Sequence, residues 1–144
     1  MDVVSAFRRT AWIVPVTVLA IAATVAGCKS DATTPTGPVD AQLVLAPGQI
    51  AEVPNAAVRI RFQRVMGDSR CPADVVCVQG GDAIVRIDVV PNSGPQATYD
   101  LHTGNLQPVR HGDLTIALVQ LVPYPFSSGP IAPNDYRATL RITR

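Results

Sequence analysis

From residue 41 onward the chain alternates apolar and polar residues with a period of two, and no helical period lasts three turns. Extended backbone sends successive side chains to opposite faces, so such a pattern builds half-buried strands. Val58-Arg59-Ile60-Arg61-Phe62-Gln63-Arg64 places Val58, Ile60 and Phe62 on one side and Arg59, Arg61 and Gln63 on the other. Val65 breaks the phase, which predicts a bulge or a strand end. From Asp82 to Val90, Ala83, Val85, Ile87 and Val89 share a face opposite Arg86 and Asp88. Gln96 to His102 puts Ala97, Tyr99 and Leu101 together, and Asp135 to Thr143 does the same for Tyr136, Ala138, Leu140 and Ile142. Leu114 to Val122 is nearly all apolar and predicts a strand buried on both faces.

Shorter extended segments are expected over Gln42 to Ala46, Gln49 to Val53 and Gln107 to Arg110. Turn signals separate them all: Pro47-Gly48, Pro54-Asn55, Pro91 to Pro95, Thr103-Gly104-Asn105 and His111-Gly112-Asp113. Seven or eight short strands in about 100 residues predict an all-β domain, an antiparallel β-sandwich spanning 42–144. An immunoglobulin-like arrangement is one form it can take, although the cysteine–tryptophan–cysteine core of that fold is absent. A small closed barrel is the alternative.

The N-terminus has the three parts of a secretory signal over residues 1–27. Arg8 and Arg9 form a positive end, Ala11 to Ala26 is an uncharged apolar core, and Val25-Ala26-Gly27-Cys28 follows. Sixteen apolar residues at about 1.5 Å each reach only about 24 Å, short of a bilayer's hydrocarbon thickness. That stretch therefore reads as a cleaved signal helix and not a membrane span. Val25-Ala26-Gly27-Cys28 resembles a bacterial lipobox. The resemblance implies acyl chains on Cys28, a membrane partner reached through that lipid anchor, and a place in the cell envelope. Lys29, where enterobacterial lipoproteins retained in the inner membrane carry aspartate, favours the outer membrane, facing the periplasm or the surface. Two or three acyl chains anchor a protein stably, at about 0.8 kcal/mol per buried methylene. Residues 28–41 then read as the lipidated cysteine and a disordered tether, because Thr, Pro and Gly there bury no core.

Two further cysteines, Cys71 and Cys77, lie in a loop between predicted strands, from Gly67 to Gly81. An exported chain sits where disulfides persist. With Cys28 acylated these two are an even pair, and so short a ring is worth about 2 kcal/mol in chain entropy. A redox pair would need Cys-x-x-Cys spacing at a helix start, and a metal site about four ligands; neither pattern is present. Asp68-Ser69-Arg70-Cys71-Pro72, then Cys77-Val78 and a glycine at 80 or 81, is similar to a pattern in uncharacterised bacterial lipoproteins. In those a tryptophan often stands two places after the second cysteine, where this chain has Gln79. That resemblance implies a family and no activity.

Charge and chemistry narrow the function. Taking Arg8 and Arg9 from the 12 basic residues, and Asp2 from the 11 acidic ones, leaves ten of each. A neutral body has no broad pull on nucleic acid or anionic lipid, so no nucleic-acid partner is expected. No Gly-x-Ser-x-Gly elbow, phosphate loop, paired glutamates or calcium loop is present, so neither enzyme chemistry nor a cofactor is expected. Two binding candidates remain. Arg59, Arg61, Arg86, Arg137 and Arg141 lie on the outward sides of their strands and would form a basic stripe for an anionic envelope polymer, if those strands are neighbours. Tyr124 and Phe126 are held among prolines in the loop from Pro123 to Pro133 and would form a contact surface. The expectation is a non-catalytic envelope module that binds a protein or polymer partner. The alternative is an inhibitor of a secreted hydrolase that uses the disulfide-pinned loop 68–78, with its rigid Arg70-Cys71-Pro72 segment inserted into the enzyme.

Overall fold

The computed structural model describes residues 37–144. The signal segment, Cys28 and most of the tether lie outside the described residues. Eight strands form two four-stranded antiparallel sheets, with order β1-β8-β7-β6 in one and β2-β3-β4-β5 in the other. The strands are β1 (Asp40–Leu45), β2 (Ile50–Glu52), β3 (Val58–Asp68), β4 (Ala83–Pro91), β5 (Ala97–His102), β6 (Val109–His111), β7 (Leu114–Val122) and β8 (Arg137–Thr143). A single 3-10 turn at Pro133–Asp135 precedes β8.

This is an all-β sandwich. Neighbours within each sheet are consecutive in the chain, with β1 beside β8 as the exception. Hairpins therefore make both sheets, and no Greek-key crossover of the immunoglobulin kind occurs among the described strands. The chain passes from one sheet to the other after β1 and again after β5, and neither crossing is bridged by strand pairing. The barrel alternative fails on the same observation, because closure needs a continuous ladder.

The alternation reads through to the core. Ile60 and Phe62 from β3, Val85, Ile87 and Val89 from β4, and Leu101 from β5 bury against Leu114, Ile116, Leu118, Ala138, Leu140 and Ile142. Each large aliphatic side chain fully withdrawn from water contributes about 1.5–3 kcal/mol. β3 does not stop at Val65. It runs 11 residues, with register shifts at Phe62/Arg64 and Val65/Gly67 that absorb the phase change. Regular structure begins earlier than expected: β1 starts at Asp40, and Val39 is buried although it lies in the stretch read as tether.

β7 differs from expectation. It is buried on one face only, and Val119 is 51% exposed. The domain has two layers, so no third layer among the described residues covers the outer side of this sheet. A bulge between Leu118 and Gln120 returns Leu121 to the core. An apolar run reports residue type, and type alone does not say how many layers a fold has.

Strand direction sorts the loops to two ends. Asp40 pairs with Thr143, and Thr115 pairs with Thr143 from the other side, so the first described residues enter at that end. Gly37 lies there beside Asn55 of the β2–β3 turn. The connections at 46–49, 69–82, 103–108 and 123–136 gather at the opposite end, about 20 Å away along the seven residues of β8.

Candidate functional site

At that far end two loops that the sequence treats separately become one structure. Cys71 and Cys77 form a disulfide, with Cα atoms 6.0 Å apart. The Ala73 N–H donates to the Pro125 carbonyl at 2.9 Å, and the Ser127 N–H donates to Asp74 Oδ1 at 2.9 Å. The Ser127 hydroxyl donates to the other oxygen of the same carboxylate. The cysteine loop is thus docked along the proline loop over several residues.

Arg70 is the brace beneath this contact. Its Nε and Nη2 donate to Asp68 Oδ1 and Oδ2 at 2.9 and 2.6 Å, a bidentate pair. Nη1 donates to the Leu121 carbonyl at 2.7 Å and Nη2 to the Pro123 carbonyl at 2.9 Å. The guanidinium also lies 4.9 Å from the centre of the Tyr124 ring. Asp68 is equally occupied, since the Arg70 N–H and the Tyr136 hydroxyl complete its shell at 3.1 and 3.0 Å. Five planar donors in a fixed fork make this possible, and a lysine has no equivalent. Arg70 is only 6% exposed. Its donors serve the protein's own carbonyls and Asp68, so this side chain of the Arg70-Cys71-Pro72 segment is not itself presented to a partner.

Burial pushes the Asp68 carboxyl up, but the hydrogen bonds and charge of Arg70, with the Tyr136 hydroxyl, hold it below the ordinary carboxylate value. Burial and Asp68 together push the Tyr136 phenol up. The two shifts predict opposite pH arms. The stabilisation from Asp68 is complete above its unfolded value and is lost as pH falls through its lower folded value. That from Tyr136 is complete below its unfolded value and is lost as pH rises through its higher folded value. Urea titrations at pH 2 to 5 are expected to show a midpoint that falls with pH more steeply in the native chain than in Asp68→Asn. At pH 9.5 to 11.5, Tyr136→Phe is expected to flatten the alkaline decline.

The base of the cysteine loop is closed by main chain. The Ser69 N–H and hydroxyl both donate to the Asp82 carbonyl, at 2.7 and 2.9 Å, and the Asp82 N–H donates back to the hydroxyl at 3.1 Å. The Asp82 carboxylate accepts the Gly104 N–H at 2.7 Å and the Thr103 hydroxyl at 3.2 Å, with His102 Nδ1 2.6 Å away. The third loop of this end is tied in by that carboxylate and by Thr103, whose N–H donates to the Ala83 carbonyl at 3.0 Å and whose hydroxyl accepts the Ala83 N–H at 2.8 Å.

What projects from the braced platform is apolar. Val76 and Val78 are fully exposed, at 101% and 102%, and Tyr124 and Phe126 are 57% and 54% exposed. Both aromatics of the proline loop stand out from the surface. The valines were missed, because a sequence pattern shows that they are apolar and not that the disulfide turns them outward. A hollow of about 160 Å³ at this end has a mixed lining that includes Leu106, Leu121 and Tyr124 together with Arg70, Thr103 and Gln120.

The basic stripe is not assembled. Arg59, Arg61 and Arg86 share one sheet, whereas Arg137 and Arg141 belong to β8 in the other. Arg86 forms a bidentate pair with Asp100, and Arg141 pairs with Asp40. Arg137 donates to the Asn134 and Tyr136 carbonyls. Of these five, Arg59, Arg61 and Arg137 form no ion pair with the described residues, and Asp88, fully buried, stands across from Arg61. Among the described residues no cluster of acidic, histidine or cysteine side chains is placed to hold a metal, and no helix is long and apolar enough to cross a membrane. Comparison with protein-family models, with curated proteins and with solved structures finds no match to this chain.

Proposed function

We propose that this chain is a lipoprotein of the bacterial cell envelope, held through acyl chains on Cys28, whose β-sandwich is a non-catalytic module that binds a protein. One observation carries the proposal: Val76 and Val78 stand fully in water on a loop immobilised by a disulfide, a buried arginine and a second loop. Exposed aliphatic groups on a floppy loop would collapse. Held out by a rigid base they lose little entropy on binding, which is how preorganised surfaces gain affinity. Flanking aromatics and few charges match the centre of protein interfaces. A charged polymer is a poorer fit, because the arginines that would meet it are divided between two sheets.

The outer membrane remains the favoured site of anchoring, on the strength of Lys29. The end that carries the valines lies opposite the end where the described chain begins. A photo-crosslinking residue at position 76 in intact cells is expected to give a discrete adduct, and one at position 92, at the other end, is not. Phe126→Asp is expected to remove the adduct without moving the unfolding midpoint by more than about 0.5 kcal/mol. Equal labelling from both positions would defeat the proposal. Mass spectrometry of the mature chain is expected to find Cys28 acylated and N-terminal.

Inhibition of a secreted hydrolase is the second reading. The same rigid loop favours it, with Val76 next to a half-cystine at the exposed crest and Arg70 as brace. An adduct at position 76 that carries a hydrolase active-site peptide would select it.

A further inference from the structure

We propose that the Cys71–Cys77 disulfide is a redox switch for the valine surface: a dithiol reductant opens the bond, frees residues 76–80 and withdraws Val76 and Val78 from binding. This rests on reading that end as a contact surface and adds how the surface is regulated.

The ring closed by the disulfide is held unevenly. On the Cys71 side, the Ala73 N–H donates to the Pro125 carbonyl at 2.9 Å and the Val75 N–H to the Pro72 carbonyl at 3.3 Å. Asp74 accepts from Ser127 through both carboxylate oxygens. On the other side, residues 76–80 make no hydrogen bond and no ion pair with any described residue, and every one of them is exposed. Gly81 then returns the chain to a fixed base, its backbone packed against Ser69. Between Val75 and Gly81 the Cys77 sulfur is thus the only side-chain bond that fixes the segment among the described residues. Breaking that bond releases the segment and leaves the contacts of the other half intact, which is what a switch requires.

The two sulfurs differ in access. Cys77 is exposed and Cys71 is half-buried, and exchange begins at the sulfur that a thiolate can reach. A thiolate of the dithiol attacks Cys77 Sγ, the S–S bond breaks, and Cys71 leaves and takes up a proton. The second sulfur of the dithiol gives up its proton, closes on the first, and releases Cys77, which is protonated in turn. Two electrons and two protons pass to the protein, and the dithiol becomes a disulfide. Cys71 Sγ lies 3.6 Å from the Pro72 carbonyl oxygen and 3.7 Å from that of Val75, so the thiol formed there has acceptors within the half that stays in place.

With the chain exported, as proposed above, the bonded form that presents the valines is the resting one. After reduction Val76 and Val78 must be ordered anew on each binding event, and affinity falls by that entropy. The Arg70 and Asp74 contacts involve no sulfur, so the sandwich beneath does not change.

The test uses the nitrogen-15-labelled full chain in detergent micelles, before and after dithiothreitol, with free thiols at Cys71 and Cys77 confirmed by alkylation and mass. Backbone order parameters over 76–80 are expected at about 0.85 in the bonded form and below about 0.6 in the reduced one, while those over 71–75 do not move. In envelope preparations, the adduct from a photo-crosslinking residue at position 76 is expected to fall roughly tenfold on reduction and to return on reoxidation. Cys71→Ser combined with Cys77→Ser is expected to give the low yield without reductant, which separates the loop's release from any action of the reagent on the partner. A bond that survives excess dithiothreitol in the folded chain overturns the inference, as do order parameters over 76–80 that stay high once the bond is broken. An adduct of equal yield in both redox states overturns it and leaves the binding-module proposal standing. No adduct in either state defeats both.

Discussion

Replacing Arg70 with methionine is expected to cost the domain about 3–5 kcal/mol, the penalty for removing one member of a buried ion pair and stranding the other. The loss has identifiable parts. Asp68 would keep its burial and the Tyr136 hydroxyl but lose the bidentate guanidinium. The Leu121 and Pro123 carbonyls would lose the donor that holds the proline loop to β3, and Tyr124 would lose the cation beneath its ring. For a domain of this size the unfolding temperature should fall by more than about 12 °C, at 4–8 °C per kcal/mol. Arg70→Lys should recover little, because one ammonium cannot reach Asp68 and two carbonyls together. Asp68→Asn combined with Arg70→Met should be less damaging than Arg70→Met alone, because no charge is left unpaired. Calorimetry of the three variants checks this ordering. An Arg70→Met domain that unfolds within 3 °C of the native one would remove the brace from the account, and with it the rigidity on which the binding proposal depends.

Gly81→Ala is the second change with a large expected effect. A Cβ at Gly81 would lie 1.5 Å from the Ser69 carbonyl oxygen and 2.9 Å from the Arg70 nitrogen. These are main-chain atoms, so no rotamer relieves the clash. The Ser69 to Asp82 contacts that close the loop base must separate, and Arg70 moves with them. Overpacking of this severity costs about 3 kcal/mol. Gly80→Ala is the control, since nothing lies within 4 Å of a Cβ there. Denaturant midpoints for the pair should differ sharply although the positions are adjacent. The sequence motif calls for a glycine at 80 or 81, and the structure assigns the requirement to 81. By contrast, removing both Cys71 and Cys77 should cost only about 2 kcal/mol, the chain entropy of a short ring. The Arg70 brace and the Asp74–Ser127 bonds would still seat the loop. Hydrogen exchange confined to 71–80 would show that the disulfide acts locally.

Much of the fold was legible in the sequence. Period-two alternation marks which residues of β3, β4, β5 and β8 face inward, because a strand offers only two faces and burial selects the apolar one. Pro47-Gly48 and His111-Gly112-Asp113 end strands for reasons contained in their own backbone preferences; Gly48 and Gly112 both take positive φ. The disulfide was expected from two nearby cysteines in a chain read as exported, and the bond is present. These are local properties, and a local pattern carries them.

Contacts between distant segments were not legible. Arg70 was expected to meet a partner as part of the rigid Arg70-Cys71-Pro72 loop, and the partners it has, at Leu121 and Pro123, are 51 and 53 residues away. The five outward arginines were expected to form a stripe if their strands were neighbours, and strand order, which alternation does not encode, divides them between two sheets. β7 was expected to be covered on both faces because composition does not count layers. Val76 and Val78 would have been assigned to a core by polarity alone. So the residue order by itself determined the number of strands, their inward faces and their turns, since each depends on neighbours a few positions apart. Tertiary structure alone decided which sheet each strand joins, which charge is buried and which apolar groups remain in water, because those depend on what the folded chain brings across from far away.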